Sequence, residues 1–320
     1  MDEITERQLP QTLREAVIYF SDPDACVSFV AGLRWPEGPV CPRCGGKEHS
    51  YVTTRRLWRC KSCKREFTVK LGTIFEDSPL PLEKWLPAVW LIANSKNGIS
   101  SYELGRALGV SQKSAWFMLH RIRLAMQAGS FERASGHVEV DETFIGGKAR
   151  NMHIRRRRER ITGTGGKDKI AVVGVLTRGG RIQTQIIPDR RRPTLQALVR
   201  QHVLPGSNIY TDALGSYRGL DGDYTHAVVD HAREYVDGAV HTNGVENFWA
   251  LLKRGLKGTY ISVEPFHLFR YLDERAFTFN ERDRRDLGRF LLVLAQAVGR
   301  RVTWAELTGK AHQAKGAAAI

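Results

Sequence analysis

The chain has 320 residues, 42% hydrophobic and 26% charged, and carries a formal charge of +15 at pH 7. That length accommodates about two to three domains with sizeable cores, and the composition is ordinary for a soluble protein. The cation surplus points to a polyanion, nucleic acid first and an anionic membrane surface second, while no apolar run reaches the roughly 18 residues of a membrane span and the acidic start Met1-Asp2-Glu3-Ile4 lacks a signal-peptide core.

Residues 1–36 read as a helical lead-in, with a second helix starting at Asp22-Pro23-Asp24. Cys26 has no close cysteine in sequence and reads as a buried apolar thiol. Trp35-Pro36-Glu37-Gly38 marks a boundary. Cys41-Pro42-Arg43-Cys44 and Cys60-Lys61-Ser62-Cys63 follow, with 15 residues between the inner cysteines. Two such knuckles bring four thiolates to one tetrahedral ion, so residues 37–75 are expected to form a zinc ribbon around a structural Zn2+. His49 is a ligand by type, but the cysteines already complete the tetrahedron. Residues 76–130 read as helices. Ser100 caps one, Gly109-Val110 makes a turn, and Ser111 caps the next, which is the helix-turn-helix pattern. Its second helix would offer Gln112, Lys113, Ser114 and Arg121 to a major groove of DNA.

A Gly/Ser-containing joint at 129–136 leads into a strand over 137–145. A basic insert over 148–169 carries Arg155, Arg156, Arg157 and Arg158, which suit phosphate contact, and Gly163, Gly165 and Gly166, which suit a mobile loop. Strands are expected at 170–176, 181–187, 207–212 and 224–229, with a helix at 193–203 and a turn or short helix at 213–220. The helix after the last strand has Asn243 as N-cap and Glu246 three residues on, as in a capping box. Phe248, Leu251 and Leu252 form its apolar stripe, and Gly255 and Gly258 are stop signals. Glu246 and Lys253 stand seven apart and point within about 20° of each other. Residues 285–308 read as a packing helix, and 310–320 as a disordered basic tail.

Asp141 lies on the first of these strands, Asp212 ends the fourth, and Glu246 sits on the helix after the fifth. One pocket can hold all three. Unpaired carboxylates at that range repel and take up protons unless divalent cations neutralise them. Two Mg2+ ions, with Mn2+ able to substitute, would suit such oxygen donors and act on a phosphodiester. Lys253 would face a phosphate. Glu142 faces the other side of its strand and is set aside as a ligand. Asp212 also reads as a turn former, and Trp249 as core.

On these residues the chain resembles the bacterial insertion-sequence transposases of the DDE type, in the branch with an N-terminal zinc ribbon and an ISXO-like catalytic domain. Val140-Asp141-Glu142-Thr143 resembles the first-aspartate motif, and Tyr210-Thr211-Asp212 with Tyr217 the second. The run from His241 through Glu246-Asn247-Phe248-Trp249 to Lys253-Arg254-Gly255 is similar to the Glu-x6-Lys motif. Asn243 and Asn247 flank Glu246, and some relatives carry asparagine as the third ligand. Residues 273–280 resemble the closing helix, with Thr278 where a basic residue is expected.

The resemblance implies a multidomain α+β and α/β protein. A small zinc ribbon and a helix-turn-helix precede an RNase H-like mixed β-sheet domain with flanking helices over 135–309. It implies catalytic roles for Asp141, Asp212, Glu246 and Lys253, the three carboxylates as magnesium ligands, and Arg254 among the DNA contacts. The implied activity is metal-dependent hydrolysis at transposon 3′ ends and strand transfer into target DNA, on terminal inverted repeats bound by at least a dimer, in the cytoplasm at the nucleoid. Two other readings share these features: a catalytically silent DNA-binding regulator derived from a transposase, and an RNase H-like nuclease.

Overall fold

The computed structural model describes residues 9–127, 133–147, 151–161, 168–229 and 241–309. The predicted tail at 310–320, the joint's Gly129, the loop glycines Gly163, Gly165 and Gly166, and the side chain of Arg156 lie outside the described residues. The chain divides into two compact units, one formed by the residues up to 127 together with those from 283, the other by those between.

In the first unit α1 (Leu13–Tyr19) starts at a Thr12–Glu15 capping box, and α2 (Pro23–Arg34) starts where the Asp22 side chain accepts the Asp24 N–H. Such side-chain acceptors satisfy amide donors that a helix start leaves unpaired. The antiparallel ribbon β1 (His49–Val52), β2 (Leu57–Cys60) and β3 (Glu66–Phe67) follows, with Trp58 stacked on Phe67. Helix α3 (Leu82–Asn94) buries Trp85 and Trp90. Helix α4 (Ser101–Leu108) begins at a Ser100–Glu103 capping box and ends at Gly109 in the left-handed conformation, and α5 (Gln112–Met126) begins at Ser111.

In the second unit β4 (His137–Ile145) is followed by a short helix α6 (Ile154–Arg160), where a mobile loop was expected. Four adjacent arginines do not oppose a helix, because arginine has high helix propensity and an Arg155–Glu159 pair spans one turn. Strands β5 (Ile170–Thr177) and β6 (Ile182–Ile187), helix α7 (Arg192–His202), and strands β7 (Asn208–Asp212) and β8 (Thr225–Val229) come next, then helices α8 (Asn243–Gly255) and α9 (Leu268–Asn280). The strands form one mixed sheet in the order β6-β5-β4-β7-β8. Only β5 runs against its neighbours; β4, β7 and β8 are parallel.

Side-chain alternation gives this sheet two apolar faces. Val138, Val140, Val173 and Val175 pack with Leu195, Leu198 and Val199 of α7. Val172 and Leu176 pack on the opposite face with Val245, Phe248, Trp249 and Leu252 of α8 and with Leu268 and Leu272 of α9. The edge strand β6 is tied to α9 by Asn280, whose amide both accepts the Ile182 N–H at 2.7 Å and donates to the Ile182 carbonyl at 3.0 Å. Thr278 in the same helix donates to the Glu274 carbonyl.

The C-terminal segment departs from expectation. Residues 285–308 form two helices, α10 (Asp286–Ala295) and α11 (Trp304–Leu307), and both belong to the first unit rather than to a sheet domain ending at 309. The reason is aromatic packing: Phe290 is fully buried, with its ring 5.1 Å from Trp90, 5.6 Å from Phe20 and 6.0 Å from Phe29. An apolar stripe identifies a buried face but not the element that covers it.

Candidate active site

Strands β4 and β7 are neighbours in the sheet, yet the chain leaves them in opposite directions across it, β4 toward β5 and β7 toward β8. Their pairing runs from His137↔Asn208 to Glu139↔Tyr210. Continuing that register by two residues sets Asp141 against Asp212, just where the strands part. In open α/β sheets the crevice beyond the C-terminal strand ends at such a switch point is the usual ligand site.

Oxygen atoms of Asp141, Glu142 and Asp212 all lie within 4.8 Å of one another, and all three residues are half-buried. Burial, reinforced by the Asp212 charge, pushes the Asp141 carboxyl up to about 6 and the Glu142 carboxyl up to about 7. Glu142 is oriented by the buried Tyr217 hydroxyl, which donates to it. Burial and the Glu142 charge hold the Tyr217 phenol well above its ordinary range. Glu142 does occupy the Tyr217 side of the strand, as alternation requires. Its carboxylate nonetheless comes within 4.8 Å of both aspartates, so alternation alone does not keep it out of the cluster. These donors fit a hard divalent cation, since they are oxygen-only, close together and desolvated.

Glu246 is not among those three. Its Oε1 accepts the Thr242 hydroxyl at 2.8 Å, and it reaches the cluster as a charge that raises Asp141 further. Asn243 and Asn247 are exposed, whereas Glu246 is half-buried. The expected capping box is absent: Thr242 is the N-cap and makes no side-chain cap bond. The N-terminus of α8 is served from the sheet instead. Glu139, 1% exposed, accepts the Val245 N–H at 3.0 Å. The same carboxylate receives Arg178 Nε at 2.8 Å, while Arg178 also donates to the His241 carbonyl and lies over the Tyr210 ring. His241 Nδ1 stands 3.4 Å from Glu139. A buried charge needs such a partner set, so Glu139 docks α8 onto β4. Sequence reasoning missed it; the one signal was an acidic residue between two inward-packing valines, Val138 and Val140. His231 lies outside the described residues.

Trp249 is core, as expected, but it also donates Nε1–H to Asp141 Oδ2 at 3.0 Å. Lys253, two turns along α8 from Glu246, is half-buried; desolvation, with Lys257 and Lys169 nearby, lowers its pKa. It lines a cleft of about 540 Å3 between the end of β4 and the segment after α8.

In the first unit the sulfur atoms of Cys41, Cys44, Cys60 and Cys63 lie within 4.8 Å of one another. Cys41–Cys63 are 3.8 Å apart and Cys44–Cys60 3.6 Å. Bonds of about 2.3 Å to a tetrahedral zinc require sulfur spacings of about 3.8 Å, so the donors fit Zn2+. Backbone amides of Cys63 and Ser62 lower the Cys60 thiol to about 6, toward the thiolate a metal needs. His49 is engaged with the Lys47 carbonyl.

The residues predicted to meet a groove separate. Gln112 and Lys113 are exposed and Ser114 is half-buried at the start of α5. Gln112 donates to Ser101, Lys113 lies over the Trp304 ring, and Ser114 pairs with Ser111. Arg121 is a correction: it is 3% exposed, and its guanidinium donates to the carbonyls of Ile74 and Glu76. It lies on the buried face because the apolar stripe of α5 passes through Met118 and Ile122. Arg155, Arg157, Arg158 and Arg254 are exposed.

Residues 133–280 match the ISXO2-like transposase domain, and residues 21–66 match the transposase zinc-ribbon domain. An uncharacterized protein in transposable element ISH50 of Halobacterium salinarum is 30% identical over 243 residues, covering 72% of this chain and 81% of that protein. An uncharacterized transposase-like protein of Haemophilus influenzae is 34% identical over 102 residues, 31% of this chain and 81% of that protein. Two domains matched in chain order, and a relative aligned along most of its own length, establish that the chain belongs to the ISXO2-like transposases with an N-terminal zinc ribbon.

Proposed function

We propose that the chain is a DNA transposase that binds the terminal inverted repeats of its insertion sequence, hydrolyses the 3′ ends, and transfers the freed 3′-hydroxyls to target DNA. The observation that carries this reading is the desolvated carboxylate cluster of Asp141, Glu142 and Asp212, just past the point where the parallel strands β4 and β7 stop pairing. The strand order β6-β5-β4-β7-β8, with only β5 reversed, supports an RNase H-like domain.

Two Mg2+ or Mn2+ ions held there would activate an attacking oxygen and stabilise the leaving one. The chain's own groups do the rest. Asp141 and Asp212 present oxygen donors, and Trp249 fixes the Asp141 carboxylate. The third donor is Glu246 by motif and Glu142 by proximity. Lys253 offers an ammonium to a phosphate next to the carboxylates.

The turn between α4 and α5 supports a helix-turn-helix, with Gln112, Lys113 and Ser114 as groove contacts. Arg155, Arg157, Arg158 and Arg254 are suited to phosphates, and Arg156 belongs with them by sequence. The reading includes at least a dimer on two transposon ends, and a cytoplasmic setting at the nucleoid. Among the described residues no single helix is long and apolar enough to cross a membrane.

The test uses zinc-loaded protein, a labelled duplex bearing the element's end, and magnesium or manganese. Wild type is expected to nick and join, and Asp212→Ala to bind without doing either. Comparing Glu246→Gln with Glu142→Gln identifies the third donor. Binding without cleavage under every metal condition would leave a DNA-binding regulator; cleavage without joining would leave a nuclease.

A further inference from the structure

The cleft that Lys253 lines has other residues around it that the cleavage chemistry does not use. Lys169, Lys253 and Lys257 are among its lining residues, together with Ile145, Leu256 and Val263, which share the α8 side of the sheet. No ion pair joins any of the three lysines to a carboxylate at 4.0 Å or less among the described residues. The stem of Lys169 runs against Gly146, where a Cβ would meet its Cγ at 3.0 Å. Lys169 and Lys257 are exposed and Lys253 is half-buried, and the like charges acting on Lys253 favour an anion among the three. An apolar wall next to them calls for a ligand with a flat or greasy part. The volume, about 540 Å3, falls in the range of about 300–1,000 Å3 typical of small-ligand pockets.

Ile261 stands at this cleft and is the most unusual residue near it. It is 82% exposed and has φ +60°, a conformation that a β-branched residue rarely adopts. Its neighbours hold it there. It follows a π-helical turn, Leu256–Tyr260. Tyr260 packs against Tyr271 at 4.7 Å and its hydroxyl donates to the fully buried Glu274. Val263, two residues on, packs into the α8–α9 core. The chain thus anchors both sides of Ile261 and displays an apolar side chain in a strained backbone. Strain of this kind persists where the surroundings impose it, and concentrates at sites of function.

We infer that this cleft is a subsite for one unpaired nucleotide of a DNA strand, with Ile261 as an apolar wedge against the neighbouring base pair, the phosphates on Lys169, Lys253 and Lys257, and the freed base against Ile145, Leu256 and Val263. Apolar wedges of this size unstack base steps, and extruded bases are held by phosphate and apolar contacts together. The inference rests on the transposase reading and adds to it a preference for opened over fully paired DNA near the reacting carboxylates.

The probe is a labelled duplex ending in one unpaired 2-aminopurine, compared with the blunt duplex of the same sequence. Wild type is expected to bind the unpaired end about tenfold more tightly and to change the 2-aminopurine fluorescence. Ile261→Gly is the decisive variant, because the relief of the positive φ offsets the conformational entropy that glycine adds to the unfolded chain. The affinity ratio is then expected to fall to near one, with an unchanged or higher thermal midpoint. The double variant Lys169→Gln with Lys257→Gln is expected to weaken binding of the unpaired end and reduce its salt dependence.

A wild-type ratio near one, or an Ile261→Gly ratio equal to wild type, overturns the inference. So does tighter occupation of the cleft by free deoxyadenosine monophosphate than by the DNA end. Strand joining measured on the same samples separates the two levels. Joining without the preference removes the subsite alone, whereas absence of both binding and joining removes the transposase reading and the subsite with it.

Discussion

Trp249 donates its indole N–H to Asp141 across 3.0 Å, from the helix packed on the sheet to the middle of the central strand. Gly174, opposite Asp141 on β5, makes this approach possible: a Cβ there would lie 2.8 Å from the indole ring and 3.0 Å from Val245. The indole bond opposes the rise of the Asp141 pKa, while burial drives it.

Replacing Trp249 by Phe keeps most of the bulk and removes the donor. A hydrogen bond to a charged group contributes about 1.5–3 kcal/mol, so strand cleavage is expected to drop by about tenfold or more with little change in duplex binding. Gly174→Ala forces the indole away and is expected to cost about 1–3 kcal/mol in urea unfolding. Wild-type stability in Gly174→Ala would mean that the indole has room to move.

The raised carboxyls give the metal-free protein a definite pH dependence. Asp141 and Glu142 hold protons more tightly folded than unfolded, so the folded state binds more protons between pH 4 and 7. Stability therefore falls as pH rises through that window and levels off above about 7, on the order of 3 kcal/mol for each group. Thermal unfolding of zinc-loaded protein from pH 5 to pH 8, with and without magnesium, measures this. Magnesium is expected to stabilise more at pH 8 than at pH 5, and Asp212→Asn to flatten the metal-free slope. A metal-free midpoint that rises toward pH 8 would contradict the assigned burial.

Glu139 is expected to be the most sensitive carboxylate for stability although no motif contains it. Glu139→Ala removes the carboxylate that accepts from Arg178 Nε and from the Val245 N–H, for about 3–5 kcal/mol. Glu139→Gln keeps an acceptor and is expected to lose less. Equilibrium denaturation of the two variants would count against the docking role if both matched wild type.

Zinc holds the ribbon. Cys60→Ser is expected to abolish stoichiometric zinc binding, measured by metal release, and to unfold the strands β1 to β3, measured by amide exchange. Retention of one zinc per chain would place the ion elsewhere.

Arg121 and Lys113 lie on one helix and are expected to fail differently. Arg121→Ala leaves the Ile74 and Glu76 carbonyls without their donor, lowering stability by about 1–3 kcal/mol. Lys113→Ala is expected to leave the thermal midpoint within a degree or two and to weaken DNA binding, with a shallower salt slope. Equal loss of DNA affinity at full stability in Arg121→Ala would return that residue to the groove.

Much of this protein was legible in short-range pattern. Cysteine spacing announced a four-sulfur cluster, and alternation located β4 residue for residue at His137–Ile145. The period of α8 found the helix, although its cap was misread because Glu139 lies 106 residues from the amide it serves. Cap signals describe local competition for donors, and a buried carboxylate from another strand can win that competition. The sequence by itself determined most of the strand and helix segments, from β4 to α8, because these depend on neighbours a few positions away. Only the tertiary structure decided that Glu142 stands with Asp141 and Asp212 while Glu246 is held by Thr242, that Arg121 is interior, and that α10 closes the first unit. Each of those outcomes depends on strand register, on helix docking, and on which charges lose their water, and no local spacing encodes them.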